Sequence, residues 1–391
     1  MIATGGMFGA LYLASLLMQL GATMLMTYLA LRLNARGVAE FWVGALMAAN
    51  ALGMVFGAKA GHALIGRAGH VRAYAASAGV IVAAVLAHEL SASLPFWLLL
   101  RAVVGLAMMC QVMVLESWLN ERAPSHQRGA VLAVYMVATY AGMILGQLGL
   151  AVIGDQGVQA LLAVAMAFSL CQVPLAWTRS APPAASQRAP LALAALLRRV
   201  PQALLTVLMS GVLNGSFFGL AAIYARRQGL ATDEIGLFMA VAIGAGLLAQ
   251  LPLGWLSDRM PRVGLIRRVA FLLMFACLPL GFYQGLPLAA LLLFGFCIGS
   301  LQFCLYPLGA ALANERVEPE SRVPLAGLLL TTFGIGTGIG PLLAGALMER
   351  FGVSSLYYFC AACAAALALV VRGNKGADTR AEPAALSHPP V

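Results

Sequence analysis

The chain has 391 residues, of which 62% are apolar and only 10% are charged. A soluble protein of this length needs about a quarter of its residues charged to cover its surface, so the composition excludes an ordinary soluble enzyme. It also excludes a disordered chain and a disulfide-framed chain, because both require the opposite composition. The composition therefore predicts a membrane protein.

Long apolar stretches lie between short charged islands, and a helix that crosses the hydrocarbon core needs about 20 apolar residues. The sequence contains twelve such stretches, at 7–31, 39–58, 73–92, 96–118, 129–153, 157–176, 203–223, 234–256, 269–285, 288–312, 323–347 and 353–371. They lack the strict alternation of an outer-membrane barrel. The first has no charged segment before it and no small-residue cleavage site, so we interpret it as a retained helix. We predict an all-α membrane protein with twelve transmembrane helices.

Most of the 24 Lys and Arg residues fall in loops on one side of this arrangement, if both termini lie on that side. The positive-inside rule therefore predicts cytoplasmic termini in an inner membrane. Arg32 and Arg36 are local exceptions, since they fall in the predicted first outer loop. Topology and anionic lipid explain the net charge of +10, and no nucleic-acid partner is expected. We expect a monomer in contact with membrane lipids. Cysteines within apolar runs and unclustered histidines predict neither a metal site nor a cofactor.

The chain repeats itself. A polar segment at 177–202 separates two sets of six apolar stretches, and the halves match in register. An offset of 194 residues relates three pairs of glycines, which are Gly105 and Gly299, Gly142 and Gly336, and Gly146 and Gly340. This pattern predicts bundles at 1–176 and 203–371, joined by a cytoplasmic linker at 177–202. A disordered cytoplasmic tail is expected at 372–391.

Two motifs carry a resemblance to a known family. One follows the second helix of the second half and reads Gly254-Trp255-Leu256-Ser257-Asp258-Arg259-Met260-Pro261-Arg262; the other is Arg101-Ala-Val-Val-Gly105. With the 6 + 6 organisation, they resemble the major facilitator superfamily, although Pro261 replaces a glycine of its loop motif. The stretch Glu116-Ser117-Trp118-Leu119-Asn120, followed by Arg128-Gly129, is similar to the YcaD-like branch.

The resemblance implies a central cavity lined by the first, fourth, seventh and tenth transmembrane helices. Each of these helices carries residues near its middle that are spaced to share one face. We expect these residues to bind the substrate: Gln19, Thr23, Arg101, Met108, Ser210, Asn214, Phe217, Gln302 and Tyr306. The alternative is that the polar groups hydrogen-bond neighbouring helices. Arg101 could instead snorkel outwards or bond backbone carbonyls.

Charged residues at the inner ends of the helices form a second candidate group. Glu116 can reach Arg67 or Arg72 in the first half, and we interpret such a pair as part of an inner gate. The counterpart in the second half comprises Asp258, Arg259, Arg262 and Glu315. The alternative is a topology anchor of solvated charges. A proton-carrying role for Glu116 also stays open.

These features predict a secondary transporter that moves a small organic solute by alternating access. The chain has no GxxxxGK[ST] motif, which excludes an ATP-driven pump built on this chain alone. It has no HExxH motif and no paired intramembrane carboxylates, so we do not expect an enzyme. The alternatives are a lipid or hydrophobic-drug exporter of the same fold and a non-transporting membrane sensor. Proton coupling and the direction of transport stay open.

Overall fold

The computed structural model describes residues 2–124, 127–155, 157–177, 193–318 and 321–371, and the regular structure within these ranges is helical throughout. The first half contains seven helices: α1 (Ile2–Ala35), α2 (Glu40–Ala68), α3 (His70–Ala87), α4 (Leu94–Arg122), α5 (Arg128–Ile153), α6 (Gln159–Leu170) and α7 (Val173–Ala176). The second half contains seven more: α8 (Leu193–Arg199), α9 (Pro201–Arg227), α10 (Thr232–Ser257), α11 (Arg262–Phe282), α12 (Leu288–Glu315), α13 (Arg322–Phe351) and α14 (Ser355–Val370).

Eleven helical segments in the described ranges are long and apolar enough to cross a membrane, with α6 and α7 counted together as Gln159–Ala176. The twelfth apolar helix, α14, has 16 residues and is about 24 Å long. In lipid, the backbone N–H and C=O groups of a spanning segment must hydrogen-bond within the protein, and helices do this within each segment. The prediction of an all-α fold with twelve apolar helices is confirmed.

Several details differ from the predicted boundaries, and α2 in particular continues to Ala68, which places Arg67 in its last turn. Helix α1 continues to Ala35, so Arg32 lies in its last turn and not in a loop. The end of the predicted linker forms α8, and α9 begins at Pro201, where a proline suits the first turn because its missing N–H has no partner there anyway. The rest of the linker, at 178–192, and the predicted tail at 372–391 lie outside the described residues.

Helices within each half touch through glycine. A Cβ atom on Gly142 would collide with the carbonyl oxygen of Leu16, which joins α5 to α1. The equivalent Gly336 meets the carbonyl of Leu208 and joins α13 to α9 in the same way. Gly105 and Gly299 repeat this relation between α4 and α2 and between α12 and α10. The sequence repeat is thus a repeat of backbone contacts, as the glycine spacing predicts.

The two bundles touch each other mainly at one end, which we call the first-loop end because it holds the α1–α2 connection. Helix α2 packs on α13, where Gly44 meets the carbonyl of Pro341 and Gly345 meets that of Glu40. Helix α5 packs on α10, where Gly236 lies against Gln147. We call the opposite end, where α7 ends and α8 begins, the linker end. The bundles are therefore packed together at the first-loop end.

The glycine contacts make a stability prediction. Gly105→Ala and Gly299→Ala should each lower the unfolding free energy by about 1–3 kcal/mol, because the added carbon must push two helix backbones apart. Gly79→Ala is the matched control, since nothing lies within 4 Å of a Cβ placed there. Thermal unfolding of the purified protein in detergent measures the difference. Equal melting temperatures for the three variants would contradict the assigned contacts.

Candidate functional site

Helices α9 and α12 run antiparallel and fix the register of four predicted site residues. Gly309 of α12 packs on Thr206 and Val207 of α9. About one turn further toward the first-loop end, this register places Tyr306 level with Ser210, and about two turns further it places Gln302 level with Asn214. All four lie on the faces that the two helices turn toward each other. The structure therefore places these four residues at matching depths on two neighbouring helices, and we call Asn214 and Gln302 the amide pair.

The amide pair is buried and incompletely hydrogen-bonded. The Nδ2 atom of Asn214 donates to the carbonyl oxygen of Ser210 at 2.8 Å and to its Oγ at 3.1 Å, while Oδ1 is buried without a partner. Gln302 is 2% exposed, and its Nε2 also lacks a partner. No side-chain hydrogen bond joins α9 to α12 at this level in the described part of the chain. Interhelical hydrogen bonding therefore does not account for these two amides.

Aromatic rings cover the amide pair on the side of the first-loop end. The ring centroid of Phe217 lies 5.8 Å from that of Phe303, and Phe218 lies 5.7 Å from the same ring. Tyr140 of α5 reaches Phe303 from the other bundle at 6.1 Å. Phe238 of α10 also touches Phe217, at 6.4 Å. This aromatic group crosses the bundle boundary and separates the amide level from the first-loop end.

Helix α1 contributes two residues with different surroundings. Thr23 is buried, and its hydroxyl donates to the carbonyl of Gln19 at 2.9 Å and to that of Met143 on α5 at 3.2 Å. These bonds favour the packing alternative for Thr23. Gln19 is half-buried, and its side chain makes no hydrogen bond to any described residue. Gln19 is therefore the more available group on this helix.

On helix α4, Arg101 lies at a different depth from the other predicted substrate-binding residues. Arg101 lies about 10 Å from the first-loop end of its helix, whereas Gln302 lies about 21 Å from the same end of α12. Met108, which is half-buried, lies at the depth of the amide pair. The Arg101 side chain is 1% exposed, and its Nε has no hydrogen-bond partner. The predicted substrate-binding residues thus occupy two levels, with Arg101 nearer the first-loop end.

Arg101 lies beside a compact group at the start of α4. The Nδ1–H of His88 donates to the carbonyl of Ala84 at 2.8 Å, and the imidazole packs edge-on against Trp97 at 5.2 Å. Burial lowers the pKa of His88 to about 4, and the positive charge of Arg101 acts in the same direction. Arg32 covers the other side of Trp97, with its guanidinium 5.7 Å from the ring.

Arg32 also forms a two-pronged ion pair with Glu89, with one oxygen at 2.9 Å from Nη2. These hydrogen bonds lower the pKa of the Glu89 carboxyl. The pair explains how a basic residue at the first-loop end is tolerated, because its charge is matched locally. The first-loop end of this bundle is thus closed by interactions within the bundle itself.

At the linker end, the second-half members of the predicted gate are joined by Arg262. Its guanidinium pairs with Glu315, approaches Asp258 at 3.3 Å and donates from Nε to Ser257 Oγ at 3.1 Å. These contacts tie together the ends of α10, α11 and α12. Arg259 instead stacks on the ring of Trp255 at 3.6 Å. A cavity of about 240 Å³ lies next to the Arg262 cluster between α10 and α12.

The first-half members are not joined. Glu116 is half-buried and makes no ion pair with Arg67 or Arg72, both of which are exposed. Its carboxyl interacts electrostatically with the phenols of Tyr135 on α5 and Tyr306 on α12. The predicted pair is therefore absent in this conformation, in which the bundles meet at the opposite end. Its role as a gate stays a prediction.

The structure adds a set of residues that the sequence interpretation missed. Arg226 at the end of α9 contacts Asp155 at 2.6 Å and Thr232 at 2.7 Å, and Thr232 donates to the second oxygen of Asp155 at 2.8 Å. Arg227 pairs with Glu40 of α2 at 3.3 Å. Both ion pairs join the bundles at the first-loop end, and we call them the first-loop lock. The sequence did hold one sign of these ion pairs, because Arg226 and Arg227 are adjacent arginines on the side of the membrane predicted to be outside.

No group of three His, Cys, Asp or Glu side chains in the described ranges is placed to hold a metal ion. The polar and aromatic side chains at mid-depth can bind a ligand through hydrogen bonds and ring contacts. Charged groups lie toward both ends of the helices.

Comparisons with known proteins agree with this geometry. The family model of the Major Facilitator Superfamily matches residues 11–306 and 288–388. A relative from Salmonella enteritidis PT4, named uncharacterized MFS-type transporter YcaD, is 30% identical over 364 residues, which are 92% of this chain and 94% of that protein. The protein of the same name from Salmonella newport matches over the same length with the same identity.

Solved transporter structures share the fold. The nucleoside transporter NupG superposes with a TM-score of 0.75 at 15% identity, over 95% of this chain and 98% of that one. A D-xylose–proton symporter gives a TM-score of 0.68 at 16% identity, over 94% of this chain and 96% of that one. At these identities the likeness concerns the fold alone.

His88 makes the first-loop end sensitive to acid. Its pKa is about 4 in the folded protein and about 6.5 in an unfolded chain, so only the unfolded chain takes up this proton between those pH values. Stability is therefore lost as the pH falls through this window, by about 2 kcal/mol at pH 5. We expect His88→Gln to lose less stability than the unmodified protein between pH 7 and pH 5.

Denaturant unfolding in detergent at the two pH values measures this difference. Glu89 contributes little in that window, because its lowered pKa confines its own loss to more acidic solution. An equal pH effect in the variant and the unmodified protein would show that His88 is not buried in its neutral form.

Proposed function

Because the chain belongs to the Major Facilitator Superfamily of membrane transporters, we propose that it is a secondary active transporter that moves a small organic solute by alternating access. One observation carries this proposal. The ion pairs between described residues of the two bundles all lie at the first-loop end, while the buried polar residues of α9 and α12 lie near mid-depth. A path that is closed at one end and has a polar level at its centre is what alternating access needs.

The mechanism follows from the strengths of the contacts. Within each bundle, backbone packs on backbone at glycine, and such contacts resist rearrangement. Between the bundles, glycine contacts such as that of Gly44 with Pro341 occur together with the ion pairs of the first-loop lock, in which Arg227 is 53% exposed and Arg226 is 29% exposed. Pairs of this kind contribute about 0.2–1 kcal/mol each. The bundles can therefore move as units when the first-loop lock opens and the linker end closes.

The basic residues orient this cycle in the membrane. The linker end carries Arg67, Arg72, Arg259 and Arg262, together with the predicted linker. By the positive-inside rule we assign the linker end and both termini to the cytoplasm of an inner membrane. The present conformation then faces inward. Both bundles come from one chain, so a monomer completes the path.

Glu116 is the residue that we propose for proton coupling. It lies in a predicted span, is half-buried, interacts electrostatically with the phenol of Tyr306 across the bundle boundary and forms no ion pair with a described cationic side chain. Closing the linker end would remove the remaining water from this carboxylate, which is costly while it is charged. Protonation removes that cost. A proton would therefore favour the conformation that is closed at the linker end.

The first-loop lock can be tested without knowledge of the substrate. We expect the double variant Asp155→Ala, Glu40→Ala to shift the equilibrium toward opening at the first-loop end by about two- to thirtyfold, since it removes two ion pairs that together contribute about 0.4–2 kcal/mol. Spin labels at Leu90 and Tyr283, which are exposed positions of the two bundles at that end, report the distance between them.

Arg199→Gln is the matched control, because it breaks an exposed ion pair with Glu318 inside the second bundle. Its distance distribution should equal that of the labelled parent. An unchanged distribution in the double variant would contradict a locking role for these ion pairs and, with it, the movement of the bundles about them.

Proton coupling has its own test. With labels at the linker end of each bundle, we expect the unmodified protein to populate a shorter distance at pH 6 than at pH 8. Glu116→Gln should stay near the low-pH distribution at both values, because glutamine resembles the protonated carboxyl. A pH response that persists in Glu116→Gln would assign the coupling proton to another group.

A further inference from the structure

We propose that the amide pair, Asn214 and Gln302, forms the polar part of the substrate site and that its ligand is uncharged. The ligand class is a flat heterocycle or carboxamide that has a hydrogen-bond donor and an acceptor side by side. This inference rests on the proposed transport function, and it names the solute class that the central level recognises. Four features of the described residues support it.

The first is unsatisfied hydrogen-bonding capacity. The buried Oδ1 of Asn214 is an acceptor, and the buried Nε2 of Gln302 is a donor, yet neither has a partner. Leaving a polar group unpaired away from water costs about 1–3 kcal/mol. Asn214 on α9 and Gln302 on α12 lie at the same depth, but their side-chain amides do not hydrogen-bond each other. A ligand that offers a donor to Asn214 and an acceptor to Gln302 satisfies both groups.

The second feature is the fixed orientation of Asn214. Its Nδ2 donates twice to Ser210, at 2.8 Å to the carbonyl and at 3.1 Å to the hydroxyl. These bonds hold the amide plane and leave Oδ1 as its free atom. The acceptor is therefore prearranged before any ligand arrives, which lowers the entropy cost of binding.

The third feature is the separation of charge from this level. Arg101 lies about 10 Å nearer the first-loop end, and Glu116 lies about 12 Å nearer the linker end, by helix rise. No charged side chain among the described residues that we place in the site lies at the depth of the amide pair. An ionic ligand would lose its hydration here without gaining a counter-charge, which is costly in a low-dielectric interior. The site therefore selects uncharged solutes.

The fourth feature is the aromatic boundary. Phe217 lies one turn from Asn214 and belongs to the aromatic group on the side of the first-loop end. On the opposite side, Tyr306 lies one turn from Gln302 and packs against Phe333 at 5.1 Å. Rings above and below a hydrogen-bonding edge favour a flat, ring-containing ligand, since offset or edge contacts between rings are stabilising.

The test compares matched neutral and anionic probes by thermal unfolding of the purified full-length protein in detergent. The neutral probes are nicotinamide and uracil, and their carboxylate counterparts are nicotinate and orotate. At millimolar concentration we expect at least one neutral probe to raise the melting temperature by about 2–4 °C, and neither anion to do so.

Variants then place the response at the amide pair. Asn214→Leu and Gln302→Leu should each abolish the shift. Ser216→Ala should keep it, because the Ser216 hydroxyl donates only to Val212 on its own helix. Without any probe, Gln302→Leu should melt about 2–4 °C above the unmodified protein, since it removes an unpaired buried amide.

Three results would overturn the inference: stabilisation by the anions alone, a neutral-probe shift that survives in both leucine variants, or no shift with any neutral probe. Lower melting temperatures for both leucine variants without probe would also overturn it, because the amides would then support the fold. The spin-label test of the first-loop lock is independent of these outcomes. A failure here with a mobile first-loop end rejects the solute class and leaves the transport function standing.

Discussion

The fold depends on how closely helix backbones can approach where there is no water to drive them together. Lipid tails are as apolar as leucine, so the hydrophobic effect gives little reason for one transmembrane helix to prefer another over lipid. Van der Waals contact must therefore decide which helices pack together. It is strongest where a glycine has no side chain, so that its Cα can approach a carbonyl group of the neighbouring helix. Gly105, Gly142, Gly299 and Gly336 occupy these positions, and each faces a backbone group with no room for a Cβ. Other glycines, such as Gly53 and Gly340, make backbone contacts of the same kind.

This division of contacts explains why two bundles form and why they can move. The same four contacts join helices inside a bundle, so each half holds together through dense backbone packing. The bundles share glycine contacts at the first-loop end, but there they are held as well by ion pairs whose members remain partly in water, Arg226 with Asp155 and Arg227 with Glu40. Exposed ion pairs are weak because water competes for both charges. The interface that must open in a transport cycle thus contains reversible ion pairs in addition to its glycine contacts.

Charged side chains lie toward the two ends of the helices, and neutral polar side chains lie at the centre. The first-loop end holds Arg32, Glu89 and the first-loop lock, and the linker end holds the Arg262 cluster. Between them, the central level offers amides, a hydroxyl and aromatic rings. Ions at the ends can exchange protein partners for water during opening and closing, whereas ions at the centre could not. Neutral hydrogen-bonding groups in the middle allow recognition without the desolvation cost of a buried charge.

Local composition and periodic spacing were enough to predict an all-α fold with twelve apolar helices and the glycines on which they pack, but not the break between α6 and α7 or the short helix α8. The i, i+4 spacing also predicted that Ser210 and Asn214 share one helix face and that Gln302 and Tyr306 share another, and their role in substrate binding stays a prediction. Only the tertiary structure showed that Asn214 lies level with Gln302 and Ser210 level with Tyr306, that Arg101 lies apart beside His88, and that Thr23 is bonded to Met143. It also revealed the first-loop lock, whose members are up to 187 residues apart in the chain. Helical spacing shows which face a residue occupies, but the depth and the opposing helix depend on how the whole bundle packs.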